Sequence, residues 1–163
     1  MTTNKPIIFV IEDDPAFNKL LVSYLSSKIN CEMSSFITGE ECIDVINEGK
    51  KPDIVLQDYE LPFQNGIEIM QQIKKKCPDA EFIFLSGQTN VKVAVNALQD
   101  GAFDYIVKDN HAKENALNKI DQVLRMQKLQ IDNSRYKFST KSLVIVLIIT
   151  WIFLFLYYFI LVK

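Results

Sequence analysis

The sequence has few of the residues that build disulfide frameworks or zinc sites. It contains three cysteines, Cys31, Cys42 and Cys77, and a single histidine, His111. The odd number of cysteines, which lack the spacing of a metal-binding motif, argues against both kinds of site. Free cysteines are also typical of a reducing compartment.

A strong excess of charge is absent as well. The chain has 18 Lys and Arg against 20 Asp and Glu, a formal net charge of −2. This balance gives no electrostatic reason to expect nucleic-acid binding, and the sequence contains no candidate helix-turn-helix. The roughly 140 residues before position 142 have the length of one domain with one hydrophobic core.

Charge disappears altogether from Ser142 to Val162. About 20 apolar residues in a helix cross the hydrocarbon part of a bilayer, so this run predicts a single C-terminal transmembrane helix. A buried core helix and a cleaved lipid-anchor signal are the alternatives. The second of these requires export, but the N-terminal apolar run from Ile7 to Ile11 is too short for a signal peptide.

The basic residues near this run predict its orientation. Only Lys163 follows the apolar run, whereas five basic residues precede it: Arg125, Lys128, Arg135, Lys137 and Lys141. The positive-inside tendency therefore predicts a single-pass membrane protein whose N-terminal domain lies in the cytoplasm.

Strand and helix patterns alternate five times through the first 125 residues. Short β-branched or apolar runs predict strands, and apolar residues at helical spacing after capping residues predict helices. The predicted strands are 7–11, 31–37, 54–57, 81–86 and 103–107; the helices are 15–28, 39–48, 67–76, one from about 90 to 100, and one from about 111. This alternation predicts an α/β fold with a doubly wound, five-stranded parallel sheet in the order 2-1-3-4-5.

Polar and charged residues follow four of these strands. Glu12 and Asp13 end the first strand, Asp58 the third and Ser86 the fourth, and Lys108 follows the fifth. Ligand sites of such sheets lie at the carboxyl ends of the strands, where these groups meet. Clustered carboxylates suit Mg²⁺, and an Asp beside the metal can attack a phosphoryl group while Ser86 and Lys108 neutralise charge. Asp14 is interpreted as a helix cap instead.

Four segments resemble the receiver domains of two-component response regulators, the CheY-like family. They are VIEDDP (10–15), PDIVLQDYELPFQNG (52–66), FLSGQ (84–88) and GAFDYIVKD (101–109), and the similarity extends from about Lys5 to Leu124. The resemblance implies a flavodoxin/CheY-like fold, and it implies no enzyme beyond Mg²⁺-dependent self-phosphorylation and autodephosphorylation.

The resemblance also implies roles for individual residues. Asp58 is the expected phosphoacceptor, Ser86 the hydroxyl that binds the attached phosphoryl group, and Lys108 its cationic partner. Tyr105 is the expected aromatic switch. Mg²⁺ is expected on Glu12, Asp13, Asp58 and the backbone carbonyl of Glu60.

Three positions depart from the family pattern. Glu12 stands where the family more commonly has Asp, a frequent variant that is expected to support metal binding. Gly87 stands where the family usually has Ala, and Asp109 stands where it usually has Pro. The family's cis bond at that point is largely a property of proline, so a cis Lys108–Asp109 bond is not implied.

The sequence therefore predicts that the chain has three parts: a receiver domain at 1–125, a helical extension at 126–141 and the transmembrane helix at 142–162. Leu117, Leu124 and Ile131 repeat every seven residues, a short heptad signal that leaves a homodimer possible. A helix break is predicted at 132–134.

The expected function is that of a membrane-anchored, single-domain response regulator. A sensor histidine kinase or phosphotransfer protein would phosphorylate Asp58, and the domain would then bind a downstream protein or pass the phosphoryl group on. One alternative is a membrane adaptor with a receiver fold that works without phosphorylation. Another is a phosphatase of the haloacid dehalogenase type, which Asp58-Tyr59-Glu60 loosely resembles.

Overall fold

The computed structural model describes residues 5–62, 64–87 and 91–161. The chain divides into two compact units, Met1–Val123 and Leu124–Lys163. The boundary lies near the predicted end of the receiver domain at residue 125.

The first unit is built on a five-stranded parallel sheet. The strands are β1 (Ile7–Ile11), β2 (Glu32–Phe36), β3 (Ile54–Asp58), β4 (Glu60–Leu61), β5 (Gln64–Asn65), β6 (Glu81–Ser86) and β7 (Asp104–Val107). The sheet order is β2-β1-β3-β6-β7, while β4 and β5 pair separately as a small antiparallel hairpin. Without the hairpin, which the sequence analysis missed, this is the predicted order 2-1-3-4-5.

The described part of the chain contains five helices. They are α1 (Pro15–Lys28), α2 (Gly39–Asn47), α3 (Gly66–Lys76), α4 (Val91–Gln99) and α5 (Ala112–Leu161). Asp14, Thr38 and Asn65 cap the first three, because each side chain accepts a hydrogen bond from a backbone N–H of the first turn. The predicted capping residues of the fourth helix, Thr89 and Asn90, lie outside the described residues.

The hydrophobic core lies between the sheet and its helices. All five residues of β3 are buried, as expected for a central parallel strand covered on both faces. One core cluster joins aromatic residues of the strands to α2 and α3, and it includes Phe9, Phe36, Val55, Phe82, Phe84, Cys42, Ile46, Met70 and Ile73.

Helix α5 belongs to both units, and its residues differ in burial along its length. In the first unit Ala112, Ala116, Ile120 and Val123 are buried, at a spacing that forms one helix face. In the second unit Leu124 is half-buried, and from Met126 onward the described large apolar side chains are exposed, from Met126 at 41% to Trp151 at 75%. The helix continues through 132–134, so the break predicted there was wrong.

Among the described residues, no helix is both long and apolar enough to cross a membrane. The transmembrane helix predicted for 142–162 therefore stays a prediction, and Val162 itself lies outside the described residues.

Candidate functional site

Strand register brings the predicted site residues to one edge of the sheet. Ile11 pairs with Gln57, Asp58 with Leu85, and Ser86 with Val107. The residues that follow these positions, Glu12 and Lys108 among them, therefore meet where the parallel strands end. The structure brings Glu12, Asp13, Asp58 and Lys108 together, as predicted, and it places Ser86 at the end of its strand on the same edge.

Three carboxylates form the centre of this edge. Ligand oxygens of Glu12, Asp13 and Asp58 all lie within 4.8 Å of one another. Glu12 is fully buried and Asp58 is only 5% exposed, whereas Asp13 is half-buried. Carboxylates so close together repel one another unless cations lie between them, and an all-oxygen set suits Mg²⁺ in particular. The residues present thus fit the predicted metal.

Lys108 provides a cation inside the cluster. Its Nζ lies 2.5 Å from Asp58 Oδ2, and it lies 2.8 Å and 2.7 Å from Glu12 Oε1 and Oε2. The same ammonium lies 5.0 Å from the centre of the Phe17 ring, a cation–π distance. One lysine therefore bridges two buried carboxylates from different strands.

Burial shapes the protonation of this group. Removal of Glu12 from water raises the pKa of its carboxyl to about 7, against the opposing effect of the Lys108 hydrogen bond and with a further increase from the Asp58 charge. Burial lowers the pKa of Lys108, but hydrogen bonds from its ammonium to Asp58 and Glu12 outweigh that effect and raise it overall. Lys108 therefore stays charged at neutral pH.

Backbone and side-chain hydrogen bonds orient the acidic groups. The N–H of Glu60 donates to Asp58 Oδ1 at 2.9 Å, which leaves Oδ2 facing Lys108. Asn18 on α1 donates from Nδ2 to the carbonyls of Glu12 and Phe36, at 3.1 Å and 3.3 Å. Asn18 therefore ties the ends of β1 and β2 together beneath the acidic cluster.

Sequence reasoning missed Asn18 and Phe17. The sequence does carry a signal for Asn18, because its spacing places it on the same helix face as Leu21 and Leu25. The structure shows that all three residues are buried. A polar residue at such a position must find a partner for its hydrogen bonds. The position of Phe17 beside Lys108 depends on how α1 crosses the sheet, which periodicity does not reveal.

The remaining predicted residues have the following environments. Ser86 is fully buried at the end of β6, and the backbone N–H of Lys108 donates to its carbonyl at 2.7 Å. Tyr105 is half-buried, and its ring centre lies 6.1 Å from that of Tyr59. Glu60 is exposed on β4. The roles predicted for these three residues stay predictions.

The departures at Gly87 and Asp109 have the following local geometry. The described residues contain no cis peptide bond, so the Lys108–Asp109 bond is trans. Gly87 has open space where a Cβ would stand. Gln88, the next residue, lies outside the described part.

Comparison with known families agrees with this geometry. The model of the response regulator receiver domain matches residues 8–121, and the chain belongs to this family. The family supports a phosphoacceptor role within a two-component system for the site at the strand ends.

Three similar proteins illustrate the relationship. The chemotaxis protein CheY of Thermotoga maritima is 33% identical over 116 residues, which cover 69% of this chain and 96% of that protein. The regulatory protein LuxO of Vibrio cholerae is 26% identical over 80% of this chain, but the matched part is only 29% of LuxO. A solved CheY-like receiver domain protein from Methanospirillum hungatei is 25% identical, with a TM-score of 0.70 over 78% of this chain and 99% of that one.

Proposed function

We propose that the chain accepts a phosphoryl group on Asp58 from a sensor histidine kinase or a phosphotransfer protein. The observation that carries this proposal is the arrangement of Glu12, Asp13, Asp58 and Lys108 within one buried cluster. An Asp needed only for folding requires neither two further acids nor a shared lysine beside it.

The transfer itself forms one bond and breaks another. An Asp58 carboxylate oxygen attacks phosphorus, the bond from phosphorus to the donor's imidazole nitrogen breaks, and the imidazole leaves with that bond's electron pair. The Glu60 N–H holds Asp58 Oδ1 during this step. Lys108 exchanges its contact with Asp58 Oδ2 for contacts with the phosphoryl oxygens, and the buried Ser86 hydroxyl donates a further hydrogen bond.

Mg²⁺ is the proposed cofactor of this reaction. The side chains of Glu12, Asp13 and Asp58 and the carbonyl of Glu60 would hold it. Bound there, the ion would neutralise charge on the transferred oxygens. We infer that the domain undergoes Mg²⁺-dependent self-phosphorylation and slow autodephosphorylation and has no enzymatic activity beyond these.

The proposed output is a change in protein–protein contact or onward transfer of the phosphoryl group. The added group carries a charge of about −1.5 to −2 and strong hydrogen-bond acceptors. Tyr105 would respond through Ser86 and alter the surface that α4, β7 and the start of α5 present. On α4 this surface includes the exposed side chains of Val95 and Leu98, which suit an apolar contact with a partner.

Membrane attachment is the second part of the proposal. The uncharged run 142–162 would form the anchor, and the basic residues before it would keep the receiver domain in the cytoplasm. Anchoring would raise the effective concentration of the domain near a membrane kinase or target.

Membrane attachment is tested separately from phosphorylation. The full chain and a chain ending at Tyr136 are compared by fractionation and alkaline extraction of membranes. We expect only the full chain to resist extraction. Release of both chains would contradict the anchor.

Dimerisation through α5 is a further possibility. Ile131, the last residue of the short heptad signal, is 52% exposed, and the nearby Leu129 is 68% exposed. Analytical ultracentrifugation of the full chain in detergent tests this, and a monomer at all concentrations would contradict it.

Phosphorylation is tested on the full chain in detergent micelles with Mg²⁺ and acetyl phosphate. Intact mass is measured beside an Asp58→Ala variant. We expect the mass of one phosphoryl group on the wild type and none on the variant or with EDTA. No gain on a folded wild type would favour the phosphorylation-independent membrane adaptor, and turnover of a generic phosphate ester would favour the phosphatase.

A further inference from the structure

Gln57 is a polar side chain in the middle of the hydrophobic sheet. It immediately precedes Asp58 on β3, is 0% exposed, and pairs in register with Ile11 on one side and Phe84 on the other. Strand residues two apart share a face, so Gln57 lies on the same face as Val55, a member of the core cluster. An amide in such surroundings needs an explanation beyond packing.

The amide makes one strong hydrogen bond. Its Nε2 donates to the carbonyl oxygen of Gly66, the first residue of α3, at 2.7 Å. Its Oε1 is buried and has no hydrogen-bond partner among the described residues. An unpaired buried acceptor costs free energy, so an apolar side chain of similar size would be at least as favourable for packing alone.

Gly66 makes this contact possible because it has no side chain. A Cβ at this position would lie 2.8 Å from the carbonyl oxygen of Tyr59, 3.0 Å from Gln57 Nε2 and 3.2 Å from the carbonyl oxygen of Asp58. The start of α3 therefore packs directly against the backbone that follows β3. Gln57 and Gly66 hold the two ends of the segment 58–66 together.

The segment closed in this way contains the group that orients the phosphoacceptor. The N–H of Glu60 donates to Asp58 Oδ1, and Glu60 pairs with Asn65, the residue before Gly66. Movement of Gly66 away from β3 would therefore shift Asn65, then Glu60, then the Asp58 carboxylate.

We propose that Gln57 is a positioning residue for Asp58, acting through its hydrogen bond to Gly66 and the closed segment between them. The inference rests on the proposed phosphorylation of Asp58. Loss of the amide opens the segment and leaves the Asp58 carboxylate poorly aligned, while the core around it stays packed.

The test uses Gln57→Met, which keeps the length of the side chain and removes the donor. Leu56→Met is the matched control, because Leu56 is the neighbouring residue of the same strand and is also fully buried. Three quantities are measured on the full chain: the rate of phosphoryl gain from acetyl phosphate, the melting temperature, and hydrogen–deuterium exchange of peptides covering 58–66.

We expect Gln57→Met to be phosphorylated about tenfold more slowly than wild type, since small misalignments of a reacting group have large effects on rate. Exchange should rise in 58–66 only, and the melting temperature should stay within about 4 °C of wild type. Leu56→Met should match wild type in rate and in local exchange. If Gln57→Met does not fold, Gln57→Leu is measured in its place.

Two results would overturn the role of Gln57. One is a wild-type rate in the variant. The other is a loss of rate that comes with lower melting temperature and faster exchange across the whole domain, which would make Gln57 a structural residue only. A wild-type chain that gains no phosphoryl group would instead overturn the proposed function itself, and this result is distinguishable because it appears before any substitution is made.

Discussion

The two ends of β3 carry the same residue type with different surroundings. Asp53 immediately precedes the strand, and its Oδ2 accepts a hydrogen bond from the N–H of Ile7 at 2.7 Å. Its backbone also bonds to Ile7 and Glu81, so it joins the amino ends of three strands. Asp58, at the other end, shares Lys108 with Glu12 and lies beside Asp13.

The difference indicates that the Asp53 carboxylate stabilises the fold, whereas the Asp58 carboxylate belongs to the candidate functional site. Asp53 needs no further partner, because a neighbouring strand already supplies its hydrogen bond. Asp58 belongs to a group with three acids and one lysine, which leaves an excess of negative charge in a buried place. Such a group suits a bound cation, in keeping with the proposed phosphorylation of Asp58.

The largest expected effect comes from the two aspartates themselves. Asp58→Asn should reduce phosphoryl gain by at least about a hundredfold, because the amide oxygen is a poor nucleophile. Asp53→Ala should leave the rate at the wild-type level. Intact mass over time with acetyl phosphate and Mg²⁺ measures the rate of phosphoryl gain in both variants. Equal losses of rate would contradict the proposed difference between the two strand ends.

Removal of the shared cation should have the next largest effect. Lys108→Met leaves Glu12 and Asp58 buried without a positive partner, and we expect a loss of up to about 4 kcal/mol in the free energy of unfolding without Mg²⁺. Chemical denaturation at pH 8 measures it. The loss should be smaller below pH 7, where Glu12 takes up a proton. Lys119→Met is the control, since its partner Asp104 is partly exposed; a larger loss in this control would contradict the prediction.

Glu12 should make the stability of the metal-free chain depend on pH. Because the pKa of about 7 in the folded chain lies above the ordinary carboxyl value of 4.5, the stabilisation from protonated Glu12 is fully present below pH 4.5 and is lost as the pH rises through about 7. The full change in the free energy of unfolding is about 3 kcal/mol. Melting in EDTA between pH 4.5 and 8 measures it. Glu12→Gln should flatten this part of the profile, and an unchanged slope in that variant would refute the assignment.

The smallest expected effect lies at the opposite end of the strand. Asp53→Ala removes the acceptor for the Ile7 N–H in a half-buried place, which should cost about 1 kcal/mol. Chemical denaturation with and without Mg²⁺ measures it. The loss should be the same in both conditions, and a loss that depends on Mg²⁺ would show that the two ends are coupled.

Much of this architecture could be predicted from the sequence because its signals are local. The buried run of β3 and the caps at Asp14 and Thr38 mark elements directly. The convergence of Glu12 and Asp58 then follows from topology, since parallel strands place all their carboxyl ends at one edge.

The rest depends on contacts that no local pattern encodes. The hairpin of β4 and β5 has strands of two residues each, too short for any periodicity. Short polar residues such as Asp132, Asn133 and Ser134 favour helix ends, yet α5 continues through all three. The hydrogen bond between Gln57 and Gly66 joins residues nine positions apart. Whether it forms depends on how the chain turns back between them, which no local pattern reveals.

The contacts of Lys108 also have a consequence for how the molecule assembles. Its partners Asp58 and Glu12 lie 50 and 96 residues earlier in the chain. At about 5–20 residues per second, a ribosome would need roughly 3–10 s after Asp58 to reach Lys108. Until then Asp58 and Glu12 lack the lysine that bridges them in the folded domain. Since β7 pairs with β6 at the edge of the described sheet, the docking of this edge strand is the step that brings the balancing charge of Lys108 to the two acids.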